Sequence, residues 1–143
     1  MLMPGVAKRN EPTMMRRRDQ QASDALAEQR RREDAAPRLR DKIVGLRSLR
    51  LKFEDLRTEG RMTTMSYARP IVVATAPAHF EIRCMEPRCD GRHDLTQPIL
   101  RALSESRESF AGESSCSGGI HDIPCDRTLA YSYQAAYGVP RTS

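Results

Sequence analysis

Residues 37–60 read PRLRDKIVGLRSLRLKFEDLRTEG, and the period of their apolar residues divides the chain into its parts. Leu39, Ile43, Leu46, Leu49, Phe53 and Leu56 recur at intervals of four, three, three, four and three, the spacing of one face of a helix. The pattern predicts a basic amphipathic helix over 38–60, with Pro37 before its start and Gly60 as a stop. Gly45 costs such a helix roughly 1 kcal/mol relative to Ala. The polar face would carry Arg38, Arg40, Lys42, Arg47, Arg50, Lys52 and Arg57 against Asp41, Glu54 and Asp55.

Upstream, residues 1–37 are polar and basic and contain too few apolar side chains to offset the entropy of ordering them. They are expected to form a disordered or solvated helical arm. The stretch from Gln20 to Ala36 has strong helix formers and a single large apolar residue, Leu26. Arg16, Arg17, Arg18, Arg30, Arg31 and Arg32 add to the basic character of this half. Residues 1–60 hold fifteen Lys and Arg against ten Asp and Glu, whereas residues 61–143 hold nine of each, so the net charge of +5 originates in the first half. That asymmetry points to an acidic partner, with nucleic acid or a ribonucleoprotein as the leading expectation. The structural alternative is a solvated face that keeps a packed helix soluble. The apolar stripe of 38–57 has a second reading as the seam of a homodimer or the face of a protein-interaction adaptor.

Downstream the period changes. PIVVATAP (70–77) is β-branched between two prolines, and HFEIRC (79–84) alternates Phe80 and Ile82 with polar residues, so both read as strands. Asp94 with Gln97 resembles a helix start, after which Leu95, Ile99, Ala102 and Leu103 form one apolar face. FAGE (110–113) is a short strand candidate, and RTLAYSYQAAY (127–137) alternates Leu129, Tyr131, Tyr133, Ala135 and Tyr137 with small or polar residues. The alternating tyrosines read first as core, and alternatively as stacking platforms for bases. The expected architecture is α+β: a module of three to four strands and one helix over 69–138, preceded by the amphipathic helix and the arm.

The four cysteines lie in this module as Cys84-x4-Cys89 and Cys116-x8-Cys125. No apolar run approaches the ~20 residues that span a bilayer, and the start of the chain has no apolar signal-like segment, so the chain reads as cytoplasmic. In a reducing compartment, two short cysteine pairs brought together by a small fold suit a structural Zn2+. Ordinary free thiols, two disulfides, or a mixed site in which His93 or His121 replaces a thiolate or supports one from behind remain open. The intervals of four and eight depart from the two-residue spacing of common zinc knuckles. Neither the H-x-E plus C-x-x-C pattern nor H-E-x-x-H is present, and Cys125 with His121 has nothing to orient the histidine, so an enzyme using zinc or a thiol is the third option. There is no Gly-rich phosphate loop and no carboxylate pair of the kind used in two-carboxylate catalysis.

Taken in order, IVVATAPAHFEIRC (71–84), CDGRHDLT (89–96), ILRAL (99–103), FAGE (110–113), Cys116 and CDRTLAYSYQAAY (125–137) resemble a group of small uncharacterised bacterial proteins in which a polar helical stretch precedes a four-cysteine α+β module. The resemblance covers about residues 70–137. It implies a compact module with Cys84, Cys89, Cys116 and Cys125 as its signature, and it implies no activity.

Overall fold

The computed structural model describes residues 20–57, 63–86, 88–120 and 123–138, in two units, 1–35 and 36–143. In the first unit, residues 20–35 form helix α1, with Gln20 Nε2 donating to Asp24 Oδ1 one turn on and Leu26 exposed.

The second unit is α+β, and its centre is the stretch expected to be helical. Residues 38–57 begin with a single helical turn, α2 (Leu39–Lys42), and then extend as a twelve-residue strand, β1 (Leu46–Arg57). Gly45 makes the joint at a φ of +91°, a conformation that L side chains resist, and its carbonyl accepts the Gly138 amide. The helix expectation fails because a second period competes in the same residues. Leu49, Leu51, Phe53 and Asp55 are buried in strict alternation, with Arg50 and Lys52 facing out between them. Pairing along both edges of this strand satisfies its backbone and outweighs the helix propensity of a Leu- and Arg-rich segment.

β1 lies inside a four-stranded antiparallel sheet of order β2-β1-β8-β5, made with β2 (Thr63–Ile71), β5 (Ser109–Ser115) and β8 (Arg127–Tyr137). The compact unit therefore starts at Ala36, well before residue 69, because its sheet requires β1 and β2. β2 also relocates the strand expected at 70–77. Ladder pairing ends at Ile71, and residues 72–76 turn, with the Thr75 and Ala76 amides both bonded to the Val72 carbonyl. Pro70 is tolerated because β2 is an edge strand. Tyr67 on β2 packs its ring 5.0 Å from Phe53.

Two small hairpins, β3 (Glu81–Arg83) with β4 (Arg92–Asp94), and β6 (Gly119–Ile120) with β7 (Ile123–Pro124), sit between these long strands in sequence. Helix α3 (Thr96–Ser104) follows β4 directly, and Asp94 Oδ1 accepts the Thr96 amide at its start. Leu95, Ile99, Ala102 and Leu103 are buried as expected, in one cluster with Leu49, Leu51 and Phe53 of β1, Leu129, Tyr131 and Tyr133 of β8, and Leu39 and Phe80.

The six stripe residues of 38–57 are all inside, from Phe53 at 0% exposure to Leu46 and Leu56 at 7%. No apolar seam of these residues is left for a homodimer or an adaptor. Tyr131 and Tyr133 are likewise core, with Tyr133 OH donating to the Arg107 carbonyl, so neither forms an open platform for bases.

Candidate metal centre

Each cysteine pair brackets a reversal of the chain. Cys84 follows β3 and Cys89 precedes β4, so the first pair lies in the β3–β4 loop, where the Cys84 amide bonds the Gly91 carbonyl and the Cys89 amide bonds the Glu86 carbonyl. Cys116 follows β5 and Cys125 precedes β8, with the β6–β7 hairpin between them. The Cys116 amide bonds the Arg127 carbonyl and the Cys125 amide bonds the Gly118 carbonyl. Backbone pairing at the base of each loop thus fixes where the four Cβ atoms start.

The two loops meet through their glycines. A Cβ on Gly118 would fall 2.5 Å from the Gly91 nitrogen and 2.9 Å from Cys89 Sγ, and a Cβ on Gly91 would press on Cys116 Sγ. Only bare backbone permits this approach, and it brings the four sulfurs within 4.8 Å of one another. Cys89 and Cys116 Sγ are 3.5 Å apart, and Cys84 and Cys125 Sγ are 3.7 Å apart. All four cysteines are free thiols. A tetrahedron with metal–sulfur bonds of about 2.3 Å has edges of about 3.8 Å, so the sulfurs stand close to the spacing of a tetrathiolate site. Four soft donors suit Zn2+ or another thiophilic ion and disfavour Mg2+ or Ca2+.

Backbone amides point at the sulfurs in a repeated way. The Gly91 amide donates to Cys89 Sγ at 3.3 Å and the Gly118 amide to Cys116 Sγ at 3.4 Å, while the Glu86 backbone favours the Cys84 thiolate against burial. In both bonds the donor lies two residues after the cysteine, which is how a knuckle wraps a thiolate despite the longer intervals between ligands. Electrostatics follow the crowding. Burial pushes the Cys84 thiol well above the ordinary thiol range and Cys116 up to about 11, with neighbouring thiols adding to the rise. At Cys89 burial acts in the same direction, but the Gly91 amide and the three surrounding thiols together hold it below its ordinary value. Four thiols at this distance ionise together only against a cation, so a bound dication would supply the charge that the site lacks.

The remaining expected site residues are distributed as follows. His93 is not at the surface. The β4 pleat turns Arg92 and Asp94 outward and His93 inward, where it is 2% exposed and its Nδ1 lies 2.9 Å from Ser114 Oγ. The sulfur cluster forms without it. His121, Arg16, Arg17 and Arg18 lie outside the described residues, as does the Arg57 side chain. Arg30, Arg31 and Arg32 are on α1, in the other unit. Arg38 caps the start of the short α2, with its Nη1 donating to the Thr75 carbonyl, and Arg40 and Lys42 lie within that turn. Arg47, Arg50 and Lys52 are exposed on β1, where Lys52 Nζ approaches Glu54 at 3.5 Å. The expected single arginine face of a helix is therefore replaced by a turn and a strand, where a period of two turns Arg50 and Lys52 outward and a register shift between Leu46 and Ser48 leaves Arg47 exposed too.

Sequence reasoning missed a buried charged group beneath the cysteines. Asp55, expected on a polar helix face, is 3% exposed, and Arg127 Nη1 donates to its Oδ2 at 2.6 Å. It also missed the role of Gly91 and Gly118, although the chain carries the signal as a repeat, Cys89-Asp90-Gly91 and Cys116-Ser117-Gly118. Among the described residues, no helix is long and apolar enough to cross a membrane.

Compared with family models, with curated proteins and with solved structures, the chain matches none.

Proposed function

We propose that this chain is a non-catalytic, zinc-stabilised binding module that associates with nucleic acid or a ribonucleoprotein through its basic N-terminal half. The observation that carries the metal reading is the set of four cysteine sulfurs within 4.8 Å, each pair held by short backbone-bonded loops. Four protein thiolates fill a tetrahedron and leave no position for water or substrate, the pattern of a structural and not a hydrolytic zinc. A small core with no Trp and seven aromatic residues gains from such a cross-link.

The binding reading rests on the charge excess of residues 1–60 and on the exposure of Arg47, Arg50 and Lys52. Arginines and lysines displayed this way contact phosphates without reading sequence, and they do so with a salt dependence.

Two measurements test the pair of claims separately. Plasma mass spectrometry on untagged protein, with a parallel thiol count under denaturing conditions, is expected to give one zinc per chain and four thiols; no metal with four free thiols overturns the first claim. Titration of generic single-stranded RNA at increasing salt is expected to give log K falling linearly with log salt, with a slope of about −2 for three phosphate contacts. An affinity independent of salt, or no binding at low salt, overturns the second.

A further inference from the structure

We propose that Arg127 is the positioning residue of the metal centre, holding both ligand loops at once and fastening them to the central strand. This deepens the metal reading above and rests on it.

Arg127 opens β8 two residues after Cys125, and three bonds converge on it. Its backbone carbonyl accepts the Cys116 amide at 3.1 Å, which fixes the start of the second loop. Its Nη2 donates to Glu86 Oε2 at 3.3 Å, which grips the middle of the first loop. Its Nη1 donates to Asp55 Oδ2 at 2.6 Å, which anchors the guanidinium on β1. The planar fork of arginine allows two carboxylates to be held in fixed directions, which a lysine cannot do.

Glu86 is the reason this grip reaches the ligands. Its carbonyl accepts the Cys89 amide and its backbone favours the Cys84 thiolate, so one residue acts on both cysteines of the first pair. Arg88 Nε steadies the same carboxylate from the solvent side at 3.2 Å. Moving Glu86 therefore moves Cys84 and Cys89 together, while moving Arg127 shifts Cys116 as well. The side chains of Arg127 and Asp55 are 10% and 4% exposed, so the clamp is shielded from salt. Groups that orient ligands from behind are worth about 10- to 100-fold in metal affinity.

The experiment uses the full chain with Co2+ as the probe, monitored by its tetrathiolate absorption and then by competition with Zn2+ and a chromophoric chelator. Glu86→Gln leaves Asp55 and Arg127 paired and removes only the gripped carboxylate. The double variant Asp55→Asn with Arg127→Gln removes the anchor without stranding a buried charge. Both are expected to weaken Co2+ and Zn2+ by 10-fold or more, to move the sulfur-to-cobalt band to lower energy as the first loop loosens around its sulfurs, and to leave the far-UV spectrum of the metal-free chain unchanged. Arg127→Lys is expected to restore little, because it keeps the charge and loses the fork. Where the double variant fails to fold, Glu86→Gln alone decides. Wild-type binding with Glu86→Gln affinity within twofold of it overturns this assignment and leaves the metal reading intact; wild-type protein that takes up no Co2+ overturns the metal reading and this assignment with it.

Discussion

Replacing Gly91 by alanine adds one methyl group at the tightest point between the two cysteine loops. Its Cβ would lie 2.8 Å from the Gly118 nitrogen and 3.0 Å from the Gly118 Cα, with Cys116 Sγ closer still. Ordinary contact starts at 3.4 Å, so the facing backbone must retreat by about half an ångström. What has to move is a main chain already bonded to Cys125 and a sulfur that is a metal ligand, not the free end of a flexible side chain. Tetrathiolate sites tolerate deviations of about 0.2 Å in metal–sulfur distance, so a bound site absorbs little of this shift. The metal-free loops can part without that constraint. An overpacking cost of about 1–3 kcal/mol therefore falls on the bound state and amounts to roughly 5- to 150-fold in affinity. Competition between the protein and a chromophoric chelator for Zn2+ reads this directly. Gly118→Ala meets the same obstacle from the other side, with the Gly91 nitrogen at 2.5 Å, and is expected to behave alike. Once the loops are parted by one methyl group the second adds less, so the double variant is expected to cost less than the two singles combined. Equal affinity for wild type and Gly91→Ala, within twofold, would refute the idea that the glycines set the ligand spacing.

Three further outcomes follow from the core and its buried groups. Phe53→Ala, at a position with 0% exposure, is expected to lower unfolding free energy by about 3–5 kcal/mol in urea titration; a loss under 1 kcal/mol would mean the core lies elsewhere. Tyr133→Phe removes the hydroxyl that donates to the Arg107 carbonyl, but Tyr137 OH donates to that carbonyl too, at 2.6 Å, so the acceptor keeps a partner and the loss should stay below about 1 kcal/mol. Burial depresses the pKa of His93, with the Asp55 carboxylate opposing it only in part. The unfolded chain takes up that proton at about pH 6.5 while the folded chain waits for a lower pH, so stability falls as pH drops below about 6.5. His93→Gln should flatten the fall between pH 7.5 and 5.5, with both proteins metal-loaded. Parallel losses in the two would show that His93 is not the group responsible.

Strand β8 and helix α3 were legible because their signals did not compete. RTLAYSYQAAY alternates over its whole length and is β8 to the residue, and Leu95, Ile99, Ala102 and Leu103 form the buried side of α3. The site was legible as four residues of one type, since thiols gathered in 42 residues converge in space. β1 misled because Leu39, Ile43, Leu46, Leu49, Phe53 and Leu56 fit a helical stripe only when Leu51 is set aside. With Leu51 included, positions 49, 51 and 53 alternate, and Asp55 continues the same side as a charge. A carboxylate on that side looks like the end of an apolar face until its arginine partner, 72 residues away, is in place. VVAT in 72–75 has strong strand propensity and still turns, because the ladder with β1 is already satisfied by Thr63–Ile71. The burial of His93 left no trace in the sequence, since a three-residue strand carries no readable period.

The pairing of β1 with β8, in which Leu46 meets Tyr137, has a consequence for the chain while it is being synthesised. When β1 and β2 have emerged from the ribosome, they form a two-stranded hairpin whose Leu49, Leu51 and Phe53 have no opposing layer, and such a hairpin is marginal in water. β5 cannot help, for among the described residues its one partner in the sheet is β8. Cys125 comes just before β8, so the fourth thiol and the last strand arrive almost together. A nascent chain halted ahead of them would display three thiols and an unpaired β1 edge at once, which makes residues 125–137 the interval over which the hairpin passes from a target of chaperones and proteases to a four-stranded sheet with its four thiols gathered.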